Sequence, residues 1–204
     1  MATTFATPNT LLGLYQPKSR TARLVSAVAV AFLGSILLTI SAKINVPVWP
    51  VPVTLQTMAV AALAAGLGAR MGMATIALYL AQGLAGLPVF AGAGAGLPYL
   101  MGPTGGFILS WLPMAFLIGY AADKGLSRRV VPLFAVMVGA SIFGFAIGFA
   151  WLLILSGQAG WIDQSNVVMS AYKGAVEPFI VWDIVKMAFA ALSVVAGWAL
   201  LKRN

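Results

Sequence analysis

Two oppositely charged residues, Asp183 and Lys186, lie three positions apart in the last apolar stretch of the chain, residues 179–201. Each charge costs about 2.5 to 3.5 kcal/mol near the centre of a membrane helix, so neither is expected there by default. A spacing of three places both residues on one helix face. Small residues continue that face: Ala190, Ser193 and Gly197. Because such a face packs against other helices, we expect the pair to point into the protein interior.

The two side chains together offer a specific hydrogen-bonding pattern. An aspartate only accepts hydrogen bonds and a lysine only donates them, so the pair matches a ligand that presents N–H donors beside a carbonyl. A structural ion pair that joins two helices is the alternative interpretation, and the spacing leaves both open. No catalytic residue is predicted. The chain has four acidic residues and none forms an obvious acid–base pair with another: Asp123, Asp163, Glu177 and Asp183.

A third polar candidate, Gln56, follows a short run rich in proline. An amide inside an apolar stretch must find a partner, whether helix, water or ligand. Pro47, Pro50 and Pro52 predict an extended entry into this stretch, and Trp49 is expected at the membrane interface.

The composition predicts an integral membrane protein. Of 204 residues, 61% are hydrophobic and only 8% are charged, which leaves too little polar surface for a soluble domain. Residues 1–20 do not resemble a cleaved signal. The chain has no cysteine and no histidine. Disulfides, thiolate chemistry and the usual metal ligand are therefore excluded, and we expect neither a metal nor a cofactor.

Six apolar segments have lengths that can span a bilayer. We predict an all-α bundle of six transmembrane helices in a single membrane domain, residues 1–204, in which residues 1–22 form a cytoplasmic N-terminal segment and residues 23–204 form the bundle. The predicted spans are residues 24–42, 53–68, 71–87, 105–122, 130–155 and 179–201.

The basic residues predict the orientation in the cell membrane. With the N-terminus inside, only Lys43 and Lys173 fall outside. Nine basic residues become cytoplasmic: Lys18, Arg20, Arg23, Arg70, Lys124, Arg128, Arg129, Lys202 and Arg203. Both termini are therefore expected in the cytoplasm. This distribution explains the net charge of +8 without nucleic acid as a partner.

Three outward segments, residues 43–52, 88–104 and 156–178, are long and rich in proline, glycine or aromatic residues. We expect them to fold over the outer mouth of the bundle and to cap a ligand cavity, although ordinary connectors remain the alternative. The glycines of residues 92–96 do not form a dinucleotide-binding pattern, because Leu97 stands where the third glycine belongs. No GxxxxGK[ST] sequence is present either, so the chain has no phosphate-binding loop for ATP.

The first span carries small residues at a spacing of four, Ala27 and Ala31, followed by Gly34 and Ser35. Such a face lets another helix approach closely. Packing within the bundle and docking of a partner subunit both remain open.

Four stretches in this order resemble one known family. They are residues 50–57 (PVPVTLQT), residues 86–92 (GLPVFAG), residues 102–107 (GPTGGF), and Asp183 with Lys186. With the six-span layout, they resemble the biotin-specific substrate-binding subunits of energy-coupling-factor (ECF) transporters, the BioY family. The resemblance covers nearly the whole chain.

The resemblance implies a subunit that captures biotin outside the cell and associates with a transmembrane coupling (T) subunit and a pair of cytoplasmic ABC-type ATPases. It places Ala27 and Ala31 where such subunits meet the coupling protein, and the pair Asp183 and Lys186 where the family holds the ureido end of biotin. It places residues 90–106 where the family closes over the ligand. The candidate contacts beside the charged pair are therefore Gln56, Phe90, Gly92, Gly94, Tyr99, Thr104 and Gly105.

The interpretation from the residues and the resemblance lead to one binding hypothesis. Asp183 accepts from an N–H of the ureido ring, and Lys186 donates to the ureido oxygen. Residues 88–106 contain no arginine or asparagine for the biotin carboxylate, so backbone N–H groups, Thr104, Lys43 and Lys173 stay open. The rival hypotheses are a subunit for another vitamin, a proton-driven secondary transporter, a membrane enzyme and a purely structural subunit.

Overall fold

In a computed structural model, the described part of the chain comprises residues 7, 9–15, 17–47, 50–158, 160 and 162–201. These residues form eight α-helices and one pair of two-residue strands. The helices are α1 (Arg20–Lys43), α2 (Gln56–Leu67), α3 (Ala69–Leu84), α4 (Gly96–Leu100), α5 (Gly105–Asp123), α6 (Val130–Leu155), α7 (Val167–Ala175) and α8 (Ile180–Leu201), and the strands are β1 (Asn45–Val46) and β2 (Val53–Thr54).

Each of the six predicted spans overlaps one helix: α1, α2, α3, α5, α6 or α8. The second span was predicted to begin at Val53, but α2 begins at Gln56 because Val53 and Thr54 pair antiparallel with β1. The third was predicted to reach residue 87. Helix α3 ends at Leu84, shortly before Gly86, whose positive φ of 92° no helix can continue.

The predicted all-α membrane fold is confirmed. Within the described part of the chain, four helical stretches are long and apolar enough to cross a membrane: α1, α5, α6 and the stretch 167–201, which includes α8. Helices α2 and α3 are shorter, with 12 and 16 residues. Much of α2 is buried against α3, α5 and α8, so protein rather than lipid surrounds most of it.

Helix α5 lies at the centre of the bundle and α1 and α6 at its edge. Of the most apolar part of α5, 61% is buried, against 28% for α1 and for α6. The exposed sides of the outer helices carry large apolar side chains, which a surrounding bilayer would cover. Examples on α1 and α8 are Leu24, Val28, Phe32, Val181, Phe189 and Leu200.

The three longer connections contain more regular structure than the sequence indicated. Strands β1 and β2 lie between α1 and α2, α4 lies between α3 and α5, and α7 lies between α6 and α8. Helix α7 was not predicted; it has nine residues, and Asn166 caps it by accepting from the N–H of Met169. Trp49, Lys202 and Arg203 lie outside the described residues.

At the opposite end of the bundle, the N-terminal segment packs beneath the helices. Thr7 Oγ1 donates to Asp123 Oδ1 (2.8 Å), and Asn9 Nδ2 donates to the Asp123 carbonyl (3.1 Å). Asp123 Oδ2 also accepts from the N–H of Ala69, the first residue of α3 (3.2 Å). One carboxylate therefore joins the N-terminal segment, the end of α5 and the start of α3.

Candidate ligand-binding site

Asp183 and Lys186 lie on the inner face of α8 together with Ala190, as predicted. The prediction was wrong for Ser193, which is exposed, because Val194 and Trp198 continue the buried face instead. Only 4% of Asp183 and 7% of Lys186 is exposed, and Lys186 Nζ lies 3.3 Å from Asp183 Oδ1. Asp183 belongs to the first turn of α8. Because the N-terminus of a helix carries partial positive charge, this position stabilises a carboxylate.

Hydroxyl groups from two other helices bind the carboxylate of Asp183. Thr57 Oγ1 of α2 donates to Oδ1 (2.9 Å), and Ser141 Oγ of α6 donates to Oδ2. With Lys186, three of the roughly four acceptor positions of the carboxylate are occupied. One position on Oδ2 remains for a further donor.

The ammonium group of Lys186 directs all three of its protons to the protein. Besides Asp183, it donates to Thr57 Oγ1 (2.8 Å) and to the carbonyl oxygen of Thr54 (3.2 Å). A ligand oxygen that binds Lys186 must therefore replace one of these acceptors. The contact with Thr54 is the longer of the two hydrogen bonds and is the easier to replace.

The charged pair faces a cavity between α2, α5, α6 and α8 that holds about 590 Å³ not filled by protein atoms, part of it open to the outside. Its walls are mostly apolar and aromatic, and the few polar groups converge at the end formed by Asp183. The largest apolar side chains of the wall are Phe107, Trp111, Met114, Phe145 and Phe179.

Five of the predicted site residues line this cavity together: Gln56, Tyr99, Thr104, Asp183 and Lys186. Four others do not line it. Gly92 lies in a shallow outer depression, and Gly94 lies so close to the ring of Tyr99 that no side chain would fit. Gly105 packs in the same way against the backbone of Leu100.

Phe90 is fully buried behind the cavity wall rather than in it. Its ring stacks on Tyr99 at 5.1 Å between centroids and meets the ring of Tyr79 edge-on at 5.5 Å. The glycines and Phe90 thus shape and support the connection between α3 and α5, residues 85–104, which we call the outer loop.

Sequence analysis did not single out Thr57, Ser141 or the aromatic wall as site residues. Thr57 directly follows Gln56 in a stretch that was already noted. Ser141 is a hydroxyl residue in the apolar helix α6, and Phe107 and Trp111 are four positions apart on one face of α5. These patterns were visible, but nothing in one sequence indicates which distant helix each residue meets.

The cavity continues outward into a depression between the β1–β2 hairpin and the outer loop. The two share Pro52, Ala91, Tyr99 and Thr104 as lining residues. Tyr99 lies outside the spanning helices, and its burial raises the pKa of the phenol above its ordinary value, against the lowering effect of hydrogen bonds with Thr104 and the Ala91 backbone. The phenol is therefore neutral near pH 7 and able to donate.

Lys43 fixes the outer loop in place. Its Nζ donates to the carbonyl oxygens of Pro88 (2.6 Å), Phe90 (2.8 Å) and Gly92 (2.6 Å). Lys173 is exposed on α7 and is not part of the cavity wall. Neither lysine is presented to the cavity in this structure.

The amide of Gln56 is connected to the same loop. Gln56 Nε2 donates to the hydroxyl of Tyr79 (2.7 Å), which in turn donates to the carbonyl oxygen of Val89 (2.9 Å). The buried partner that sequence analysis required for Gln56 is therefore Tyr79 on α3.

Part of the small-residue face of α1 packs inside the bundle. Gly34 lies directly against the side chain of Thr75 on α3, and Ala31, one turn earlier, is buried with 8% exposed. Ala27 is half-buried.

Among the described residues, no cluster of three acidic, histidine or cysteine side chains forms a metal-binding group.

Comparison with known proteins gives a consistent result. Residues 15–203 match the family model "BioY family". The chain is 34% identical over 170 residues to "Biotin transporter BioY2" of Lactococcus lactis subsp. cremoris, covering 83% of this chain and 87% of that protein. It is 36% identical over 156 residues to "Probable biotin transporter BioY" of Pyrococcus horikoshii, covering 76% and 86%.

The fold also matches a solved structure, that of the S-component for biotin from an ECF-type ABC transporter. The TM-score is 0.74, with 24% identity, 89% of this chain covered and 93% of that chain. At this identity the similarity establishes the fold.

Proposed function

The chain belongs to the BioY family, and from this premise we propose that it is the high-affinity biotin-binding subunit, the S component, of an ECF-type vitamin uptake transporter. It captures biotin outside the cell and catalyses no reaction. The observation that carries this proposal is the buried pair Asp183 and Lys186 at the polar end of an aromatic cavity, because this arrangement complements a neutral cyclic urea.

The polar end of the cavity binds the ureido ring. Asp183 accepts one ring N–H at the free position of Oδ2, and Lys186 donates to the ureido oxygen in place of Thr54. Hydrogen bonds to charged groups contribute about 1.5 to 3 kcal/mol each, which is enough for strong selection of this ring. The thiophane ring and the valeryl chain then lie against the aromatic wall.

The valeryl carboxylate points outward, toward the depression that continues the cavity. Thr104 and Tyr99 lie at this junction and provide hydroxyl donors. Backbone N–H groups of the outer loop are further donors. Lys43 can bind the carboxylate only if the loop carbonyls release it, and Lys173 only if α7 moves. We therefore rank the hydroxyl groups first as donors to the carboxylate.

Transport requires partners that supply energy, since the chain has no phosphate-binding loop for ATP. We propose a transmembrane T subunit and cytoplasmic ABC-type ATPases in this role. Ala27 is the accessible member of the predicted docking pair, because Ala31 is already buried within the bundle. In this arrangement the protein lies in the cell membrane with both termini in the cytoplasm.

Ligand-dependent thermal stabilisation of the purified protein tests this function. Saturating ligand stabilises a protein by RT ln(1 + [L]/Kd), about 4 kcal/mol at a thousandfold excess over Kd. Biotin is expected to raise the unfolding temperature by several degrees, whereas thiamine and riboflavin leave it unchanged. A rise with thiamine or riboflavin but not biotin indicates another vitamin, and no rise with any of the three contradicts the proposal.

A further inference from the structure

The hydroxyl of Tyr79 lies between the cavity residue Gln56 and the outer loop. It accepts from Gln56 Nε2 at 2.7 Å and donates to the Val89 carbonyl at 2.9 Å. Tyr79 is fully buried, and its ring also contacts Phe90 and Trp111. This chain of hydrogen bonds shares no residue with the group around Asp183.

The number of protons in this chain determines which way the Gln56 amide faces. A phenol has one proton, and the Val89 carbonyl can only accept. If the amide oxygen of Gln56 faced Tyr79, two acceptors would compete for that single proton and one would stay unpaired in a buried place, which is costly. With Nε2 facing Tyr79, every group in the chain is paired. The assignment of the amide therefore follows from the network.

The other end of the amide consequently faces the ligand. No described N–H or hydroxyl donates to Gln56 Oε1, and no side-chain polar atom among the described residues is both fully buried and unpaired. Gln56 lines the cavity. The amide oxygen is thus open to the cavity as an acceptor.

Building on the proposed function, we infer that Tyr79 is a positioning residue that holds Gln56 with its carbonyl oxygen toward the ligand. The cavity wall then accepts two N–H groups, one at Asp183 and one at Gln56. A cyclic urea has two ring N–H donors, whereas a ring with one N–H and one ether oxygen satisfies only one acceptor. The arrangement selects for the intact urea.

This arrangement also connects recognition with the position of the outer loop. Val89 belongs to that loop, and the next residue, Phe90, packs on the ring of Tyr79. If the loop moves away, the Tyr79 proton loses its acceptor and is free to bind Gln56 Oε1, so the amide can turn. The amide orientation that favours two donors is therefore stable only while the loop is closed.

The test compares biotin with its two cyclic carbamate analogues, in each of which one ring N–H is replaced by oxygen. Equilibrium Kd values are measured for the wild-type protein and for Tyr79→Phe, which keeps the ring and removes only the hydroxyl. We expect the wild type to prefer biotin over both analogues by about 10- to 100-fold, the effect of one lost buried hydrogen bond on each.

In Tyr79→Phe the amide is free to turn and to donate to the analogue's oxygen. The preference for biotin over one analogue, the one whose oxygen faces Gln56, is expected to fall about tenfold. The preference over the other analogue, whose oxygen faces Asp183, is expected to stay. A merely structural loss would weaken all three ligands in equal proportion, and this outcome would overturn the inference.

Tyr120→Phe is the matched control, because it removes a phenol from the exposed surface of α5, away from the cavity, and is expected to change no Kd. If Tyr79→Phe does not fold, Gln56→Met removes the acceptor and is expected to abolish the preference for biotin over the analogue whose oxygen faces Gln56. If that preference persists in the variant that is measured, the inference is overturned. Failure of the wild type to bind biotin would instead contradict the proposed function.

Discussion

At the scale of single residues, the site depends on a carboxylate that three protein groups bind. Asp183 accepts from Thr57 and Ser141, pairs with Lys186, and has one position left for a ligand. Burying a lone charge at this depth would cost several kcal/mol. The partners from α2 and α6 reduce this cost and also hold the open position in a fixed direction.

We predict that Asp183→Asn lowers biotin affinity by 100-fold or more, since the amide replaces an acceptor by a donor and leaves Lys186 without a counter-charge. Losing a hydrogen bond to a charged group and creating an unpaired one together cost about 3 kcal/mol or more. Equilibrium binding to the purified variant measures the effect. Asp163→Asn, on an exposed connection, serves as the control and is expected to bind normally. Unchanged affinity in Asp183→Asn would refute the role of this residue.

The charged pair itself was visible in the sequence because charges are rare in apolar spans. Its hydroxyl partners were not, because Thr57 and Ser141 lie 126 and 42 positions away from Asp183. Only the packing of α2 and α6 against α8 brings these residues together. The same reason explains why Tyr79 was missed as the partner of Gln56.

At the scale of elements, the outer loop is held closed by a lysine from α1. Lys43 donates to three loop carbonyls and so uses all its protons on one connection. Phe90 adds an edge-on contact with the ring of Tyr79 on α3. The loop has no helix long enough to hold itself in place, so these contacts determine how long it stays closed over the cavity.

We predict that Lys43→Met raises the dissociation rate of biotin by about tenfold and changes the association rate little, because the substitution removes the contacts that keep the loop closed. Stopped-flow or filter-based chase experiments with labelled biotin measure both rates. Lys124→Met, at the opposite end of the bundle, is the control. If Lys43 instead binds the biotin carboxylate in the complex, replacing that carboxylate by a neutral amide would remove most of the effect of the substitution.

A hydrogen bond joins α3 and α5 at the end of the bundle opposite the cavity. Helix α3 follows Gly68, which has no side chain to cap it, and Asp123 from α5 accepts from the N–H of Ala69 instead. A carboxylate at this position also interacts favourably with the helix dipole.

We predict that Asp123→Asn lowers the free energy of unfolding by about 1 to 3 kcal/mol, since the single amide oxygen cannot serve both Thr7 and Ala69. Thermal unfolding of the detergent-purified protein measures the loss. Biotin affinity is expected to stay within about twofold, because the cavity lies at the opposite end. A large loss of affinity with unchanged stability would contradict this assignment.

Sequence periodicity and length located the long helices but not the structure of the connections. The apolar runs of α1 and α6 are long enough to be unambiguous. Helix α7 was missed because it is short, and its stability depends on packing against α6. The β1–β2 pairing was missed because two-residue strands leave no periodic pattern.

At the scale of the whole molecule, the two ends of the bundle have different roles. One end carries the cavity and the contacts that hold the outer loop, whereas the opposite end carries the N-terminal segment and most of the basic residues. The chain matches the BioY family over residues 15–203 and contains no GxxxxGK[ST] sequence. The proposed function therefore assigns binding to this chain and energy supply to partner proteins.

We predict that liposomes containing this protein alone bind biotin but do not accumulate it. Accumulation requires co-reconstitution with the T subunit and the ATPases, with ATP on their side of the membrane. Labelled biotin trapped inside the vesicles is the measurement, and a proton gradient without ATPases is the control condition. Accumulation driven by that gradient would support a secondary transporter in place of the proposed function.

A structure of the protein with biotin bound tests the central claim most directly. The account predicts the ureido ring within hydrogen-bonding distance of Asp183 Oδ2 and Lys186 Nζ, with the sulfur-containing ring against Trp111 and Phe107 and the carboxylate near Thr104. It would be contradicted if biotin occupied another site while Asp183 and Lys186 kept only the contacts with Thr54, Thr57 and Ser141 described above.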